Sequence, residues 1–406
     1  MTLITPDSAR TALMDWITHP LVLAFLFSVL VLVVVPGVCS YLILLERKIA
    51  AWVQNRHGPN RVGPWGLFQP IADGLKFVLK EQVVPDHVNK FLYFAAPSIA
   101  VLTALLAFAV VPFGPTSNNP AEFSWVIAPN VDVGLLFIFA IGSLAVYAII
   151  LGGWASNNKY SFMGALRSSA QVISYEIPLG MSILGILLIT GSLNLERIID
   201  HQTRGLFHWN IWYQPLAFLI FLTAALAENN RLPFDLAECE QELVGGFHTE
   251  YSAMKFGMFF LGEYTHMITI SFLLSILFFG GWHFPWIAEV GPHTAGSVAL
   301  KFVVLFAKVS LAIVVIMLIR WTIPRFRYDQ LMGLAWKVLI PLCLANLVAA
   351  MFVKQFGLPL WLLTAANVAL FFVPAYLASS PVGAAKRVVR QQGDHLVGVV
   401  DPLYAD

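Results

Sequence analysis

The sequence predicts an all-α, polytopic membrane protein with about nine transmembrane helices and one interfacial amphipathic helix. Composition is the first reason. Of 406 residues, 58% are hydrophobic and only 12% are charged, and mean hydropathy is +0.76, whereas soluble domains carry roughly 25% charged residues. Periodicity is the second. Nine apolar runs lie near 21–45, 93–113, 133–154, 172–191, 213–228, 256–281, 299–320, 337–354 and 360–379, and roughly 20 such residues in a helix cross a hydrocarbon core of about 30 Å. The third is that no soluble domain fits between the runs, so residues 1–406 read as one membrane domain. A formal net charge of +1 gives no field that would draw nucleic acid. Cys39, Cys239 and Cys343 are too scattered to hold zinc or an iron–sulfur cluster within the chain.

The elements follow in order. Thr2 to Pro20 lacks a basic n-region and a small-residue cleavage site, so Leu21 onward reads as a retained anchor. The first run ends at Glu46, beside Arg47 and Lys48, which could neutralise it. The loop at about 46–92 is too long for a mere connector. After turns at Gly58-Pro59-Asn60 and Gly63-Pro64-Trp65-Gly66, Leu67 to Glu81 places Leu67, Ile71, Leu75, Val78 and Leu79 on one face of a helix. Such a helix lies in the membrane interface, as a simple surface anchor or as part of a site.

The fourth run carries Glu176 about a turn inside its span, two residues before Pro178, which frees a backbone carbonyl. The fifth run is short and suits a position among other helices. It ends at Glu228 and opens an acidic loop at about 229–255. Seven of the chain's 23 acidic residues fall between 228 and 263: Glu228, Asp235, Glu238, Glu240, Glu242, Glu250 and Glu263. Pro233 to Val244 reads as a short helix with Asp235, Glu238 and Glu242 on one face, stopped by Gly245-Gly246. Like charges at those spacings repel. They persist if Arg231 compensates or if crowding raises their pKa values so that protons exchange near neutral pH. A solvated acidic helix is the bland alternative. Glu263 is eight residues past Lys255, about 12 Å deeper along the sixth run. A carboxylate in hydrocarbon marks an ion path or relay, unless it is paired or snorkels to water.

Beyond the sixth run, Trp282 to Val298 has the aromatic content of an interfacial belt. Lys308 is a further charge in the middle of the seventh, with a partner across the bundle or a snorkelling role left open. Basic residues collect on one side, from Arg47, Lys48, Arg56, Arg61 and Lys76 through Lys159, Arg231 and Arg325 to the tail at about 380–406. The positive-inside rule then puts the N-terminus outside and the tail in the cytoplasm. No phosphate-cradling glycine loop, HExxH pair or nucleophile triad is present, and His57 and His248 read as loop residues rather than ligands.

At this point the motifs resemble a known family. Glu46-Arg47-Lys48, Arg56-x-Gly58-Pro59-Asn60-x-x-Gly63-Pro64-x-Gly66-Leu67-x-Gln69-Pro70-x-Ala72-Asp73-Gly74-x-Lys76, Gly153-Trp154-Ala155-Ser156-Asn157-Asn158-Lys159-Tyr160, Gln171-x-x-Ser174-Tyr175-Glu176, the acidic loop and Pro324-Arg325-x-Arg327-Tyr328-Asp329-Gln330 are similar to the H-subunit family of proton-pumping NADH:quinone oxidoreductase, respiratory complex I. The likeness runs from about residue 20 to 355. Asn229 stands where the family commonly has Thr, and His248 where Asn is common. The resemblance implies a core membrane component of the bacterial plasma membrane that holds neither metal nor flavin. It would share a quinone chamber with peripheral-arm subunits, one of which carries an iron–sulfur cluster, and would adjoin antiporter-like membrane subunits. It places Arg47, Arg56, Asp73 and Arg231 near that chamber or its entrance. It makes Glu46, Glu176, Glu228, Asp235, Glu238, Glu240, Glu242, Glu250 and Glu263 a carboxylate relay from chamber to neighbours. A homologous component of membrane-bound hydrogenases shares the acids without needing a quinone. An autonomous ion transporter and a purely structural anchor are the readings from other classes.

Overall fold

A computed structural model describes residues 20–115, 125–235, 244–285, 287–288 and 295–379. Among these the regular structure is helical, apart from one β-bridge between Phe284 and Ala288. In order the helices are α1 (Pro20–Val53), α2 (Gln69–Leu79), α3 (Lys90–Leu106), α4 (Gly134–Ala155), α5 (Lys159–Thr190), α6 (Leu195–His201), α7 (Asn210–Tyr213), α8 (Pro215–Glu228), α9 (Ala253–Phe278), α10 (Ala295–Thr322), α11 (Tyr328–Leu334), α12 (Ile340–Gln355) and α13 (Trp361–Ser379). Among the described residues, seven helices are long and apolar enough to cross a membrane: α1, α3, α4, α5, α9, α10, and α11 joined to α12 through a π turn at Ala335–Leu339. α8 and the apolar stretch Trp361–Phe372 of α13 are shorter, so the predicted count of nine rests on two elements that do not qualify as spans by length and composition.

The helices start and stop where side chains satisfy their free backbone groups. Asn89, Asn158 and Asn194 accept amide hydrogens at the N-termini of α3, α5 and α6. α5 ends at Gly191, whose φ of +74° is the left-handed conformation that glycine adopts without penalty. α9 is the central helix, with 78% of its apolar window buried. α1, α3 and α10 pack around it, and α5 packs against α4, α8 and α12. Aromatic edges fill the interior, as where Phe218 and Phe221 of α8 meet Phe278 of α9 at 5.3 and 5.7 Å between centroids.

Three expectations need correcting. α5 begins at Lys159, not near 172, so Glu176 is seventeen residues into the helix, ~25 Å from its start and not one turn in. The polar residues that hid this extension, Ser168, Ser169 and Gln171 among them, are buried against protein and not against lipid. α1 likewise continues to Val53, placing Glu46 inside the helix and not at its end. Trp282 is only 7% exposed, so it packs inward and does not form a surface belt.

α2 matches its expected amphipathic pattern. Ile71, Leu75, Val78 and Leu79 are exposed along one side, the face that an interfacial helix offers to lipid. Its other side lies across the ends of α1 and α9, with Phe77 against Gly257 of α9.

Candidate functional site

A cluster of buried charge sits at one end of the bundle, where α1, α8, α9 and α10 meet the loops. Glu46 of α1 is 5% exposed. Its carboxylate accepts from Arg231 Nη1 at 2.6 Å and from the Tyr264 hydroxyl of α9 at 2.6 Å, and it pairs with Arg320 near the end of α10. The Arg231 guanidinium also lies 4.2 Å from the centre of the Tyr264 ring. Among the described residues, two guanidiniums thus meet at this one carboxylate. The neighbours in sequence that could have neutralised Glu46 point elsewhere. Arg47 bonds Asp73 of α2 at 2.6 Å, and Lys48 donates to the Trp65 carbonyl at 2.6 Å. On a helix, successive residues point about 100° apart, so adjacency in sequence does not produce a pair.

A cavity of about 60 Å³ is lined by Glu228 of α8, Glu263 and His266 of α9, Asn229 and Asn230, and apolar side chains of α3, α4 and α5. That space is large enough for a few waters. Glu176 of α5 borders the same region. Ser143 of α4 donates to its carboxylate, and a Cβ placed on the preceding Gly142 would lie 3.7 Å from Glu228 Oε1. Consecutive residues of α4 thus touch both carboxylates. Glu176, Glu228 and Glu263, expected as a relay, are brought together around this cavity.

The described parts of the acidic loop are fastened at both ends. On the α8 side, Gln171 Nε2 of α5 lies 2.9, 3.2 and 2.8 Å from the Ala227 carbonyl, Asn230 Oδ1 and the Phe234 carbonyl. Phe234 stacks on Phe326 at 5.6 Å, and Arg325 donates to the Asp235 carbonyl. On the α9 side, Gly246 packs so closely on Gly164 of α5 that a Cβ on Gly164 would fall 2.6 Å from the Gly246 Cα. Glu250 accepts from Asn158 Nδ2 at 2.6 Å, and its carbonyl accepts from the Tyr93 hydroxyl at 2.7 Å. Burial among these rings pushes the His248 imidazole down to about 4. Glu238, Glu240, Glu242 and most of the expected Pro233–Val244 helix lie outside the described residues.

The expected quinone-site residues divide. Arg231 is in the buried cluster, Arg47 and Asp73 join α1 to α2 above it, and Arg56 is exposed with its Nε on Gln54. Arg231, one of the two ways offered for offsetting the acidic loop, bonds Glu46, 185 residues earlier, through Nη1; Glu238 and Glu242, the loop acids it would offset, lie outside the described residues. Sequence reasoning missed Tyr264, Arg320, Gln171 and His266. Arg320 had a signal, because a buried carboxylate needs a cation and this residue ends an apolar run. Gln171 stood out only as part of a motif and not as an anchor for the loop, and His266 had no signal beyond being polar in a helix.

Known proteins share this sequence over most of its length. The NADH dehydrogenase family profile matches residues 26–351. The second H subunit of NADH-quinone oxidoreductase from Koribacter versatilis is 47% identical over 346 residues, covering 82% of this chain and 97% of its own length. The H subunit of NADH-quinone oxidoreductase from Flavobacterium psychrophilum is 51% identical over 306 residues, 74% of this chain and 88% of its own. The protein of the same name from Leptospira biflexa is 49% identical over 341 residues, 81% of this chain and 93% of its own.

Proposed function

Because the chain belongs to the NADH dehydrogenase family, among relatives named as the H subunit of NADH-quinone oxidoreductase, we propose that it forms one wall of a quinone chamber in that complex and couples quinone reduction to proton translocation. Quinone takes up two electrons and two protons to become the hydroquinone. The electrons arrive from an iron–sulfur cluster carried by a partner in the peripheral arm, so this chain supplies walls, fixed charge and protons. The Glu46–Arg231–Arg320 cluster, in which two guanidiniums meet at one carboxylate, stabilises negative charge that develops on a reduced quinone beside it. α2, tied to α1 through Arg47 and Asp73, borders the route by which a lipid-soluble quinone enters. Arg56, exposed after the end of α1 with its Nε on Gln54, stands near the same entrance.

Coupling follows from linkage. A charge change in the chamber alters the affinity of nearby carboxylates for protons, and protonation of the carboxylates alters the chamber in return. Asp235, Glu238, Glu240, Glu242 and Glu250 of the acidic loop respond first. Glu228, Glu176 and Glu263 carry the perturbation toward neighbouring membrane subunits of antiporter type. The loop side faces the cytoplasm of a bacterial plasma membrane.

The observation that carries this reading is the small cavity with Glu228 and Glu263 in its wall and Glu176 at its edge. Three carboxylates gathered in a membrane interior are costly unless they share protons. Glu228→Gln removes one exchangeable proton at nearly constant shape. In the assembled complex it is expected to lower NADH:quinone reductase turnover and proton pumping together by roughly tenfold or more, the range of a lost proton-transfer group. Wild-type turnover and pumping in a fully assembled Glu228→Gln complex would overturn the relay.

A further inference from the structure

We propose that His266 is a proton-exchanging group of the cavity, linking Glu228 to Glu263 through enclosed water. The inference rests on the relay reading above and adds a residue to it.

His266 lines the cavity together with both carboxylates. It is three residues past Glu263 on α9, which puts both side chains on one face, with a rise of ~4.5 Å between them. Among the described residues, its buried Nε2 meets no hydrogen-bond partner. A buried ring nitrogen without a partner costs free energy comparable to a lost hydrogen bond. A histidine kept only for packing would be replaceable by an apolar ring with a gain in stability. Enclosed water supplies the missing partner, and about 60 Å³ gives it room.

Neutral imidazole has one donor and one acceptor nitrogen, so it can take a proton on one side and release one on the other. The step balances. A protonated Glu228 gives its proton to a water, and that water gives one of its protons to the acceptor nitrogen of His266. This leaves a carboxylate and an imidazolium. The imidazolium then releases the proton from its other nitrogen, through water, to the carboxylate of Glu263. No oxidant or other co-reactant is needed.

The titratable groups facing His266 are Glu228 from α8, Glu263 from its own helix and, beyond Ser143, Glu176 from α5. The residues of α3 and α4 that line the cavity, among them Ala100, Gly142 and Val146, carry none.

The test replaces His266 in the assembled complex by Asn and, separately, by Glu. Asn fills most of the space and keeps a hydrogen bond but exchanges no proton, whereas Glu exchanges one and packs less well. The expected result is a fall of roughly tenfold in quinone reductase turnover and pumping for His266→Asn, with assembly intact, and recovery of a substantial share for His266→Glu. A structural role gives the reverse order, with Asn tolerated and Glu disruptive, and that result overturns the proposal. Should the Asn variant fail to assemble, His266→Gln is measured in the same way, and wild-type turnover in it is equally fatal. Loss of function in Glu228→Gln beside a fully active His266→Asn would sink this inference alone and leave the relay standing.

Discussion

Glu46 shows how a membrane protein keeps an ion pair where water is scarce. The carboxylate and Arg231 are both almost fully buried, so their attraction is weakly screened and their desolvation is large. Removing one partner strands the other. Glu46→Leu is expected to destabilise the protein by about 3–5 kcal/mol, read as a fall in thermal midpoint in detergent. Glu46→Leu with Arg231→Met should recover part of that stability, Arg320 still lacking its carboxylate. If the double variant were no more stable than the single, the pair would not be the cause. His248 gives a second residue-scale expectation. Its folded value of about 4 lies below the usual 6.5, so below pH 6.5 the unfolded chain binds a proton that the folded protein refuses. Stability is therefore lost as pH falls from about 6.5 toward 4. His248→Phe should flatten that acid limb, and a variant with an unchanged acid limb would place the cause elsewhere.

At the scale of elements, α9 and α10 are joined at two levels. Tyr264 of α9 and Arg320 of α10 share Glu46. Farther along, Lys308, halfway along α10, donates to the carbonyls of Phe279, Gly281 and His283 at 2.6, 2.9 and 2.7 Å, with its ammonium 4.6 Å from the Trp209 ring. These carbonyls follow the last turn of α9, where orphan acceptors and the negative end of the helix dipole favour a cation. The partner that the sequence left open for Lys308 is thus the end of a neighbouring helix. Lys308→Met keeps the apolar stem but abandons three buried acceptors, at about 1–3 kcal/mol each before water relieves them. A clear fall in thermal midpoint is expected, and an unchanged midpoint would mean that water replaces the ammonium without cost. The contact between α5 and the acidic loop is tighter still. Gly164→Ala sets a methyl against the Gly246 backbone, which cannot rotate away. It should speed proteolysis between residues 229 and 250 while α5 stays folded, whereas wild-type cleavage rates would show that the contact yields.

For the whole molecule, the charge-bearing loops gather at one end of the bundle and α9 runs through its centre. Orientation in the membrane is testable through Phe207, which is 67% exposed on the end away from the loops. In a Cys239→Ser background, with Cys39 and Cys343 buried, Phe207→Cys should react with an impermeant thiol reagent added outside intact cells. Reaction only after permeabilisation would invert the topology. Composition, hydropathy and the long motifs were enough to establish an all-α membrane protein, the approximate spans, the amphipathic α2 and the family, because each is written in local order along the chain. They also singled out Glu46, Glu176, Glu228 and Glu263, since a carboxylate in an apolar run is conspicuous wherever it points. The partners were not legible. Helices that are apolar nearly all round give no azimuth, so only packing decided that Glu46 meets Arg231 and Arg320, or that His266 shares a cavity with Glu228. The depth of Glu176 was hidden for a related reason: the polar first half of α5 is buried by protein, and hydropathy registers only whether a residue suits lipid. Local order is encoded residue by residue, whereas the rotation of each helix against its neighbours is fixed by all their side chains together.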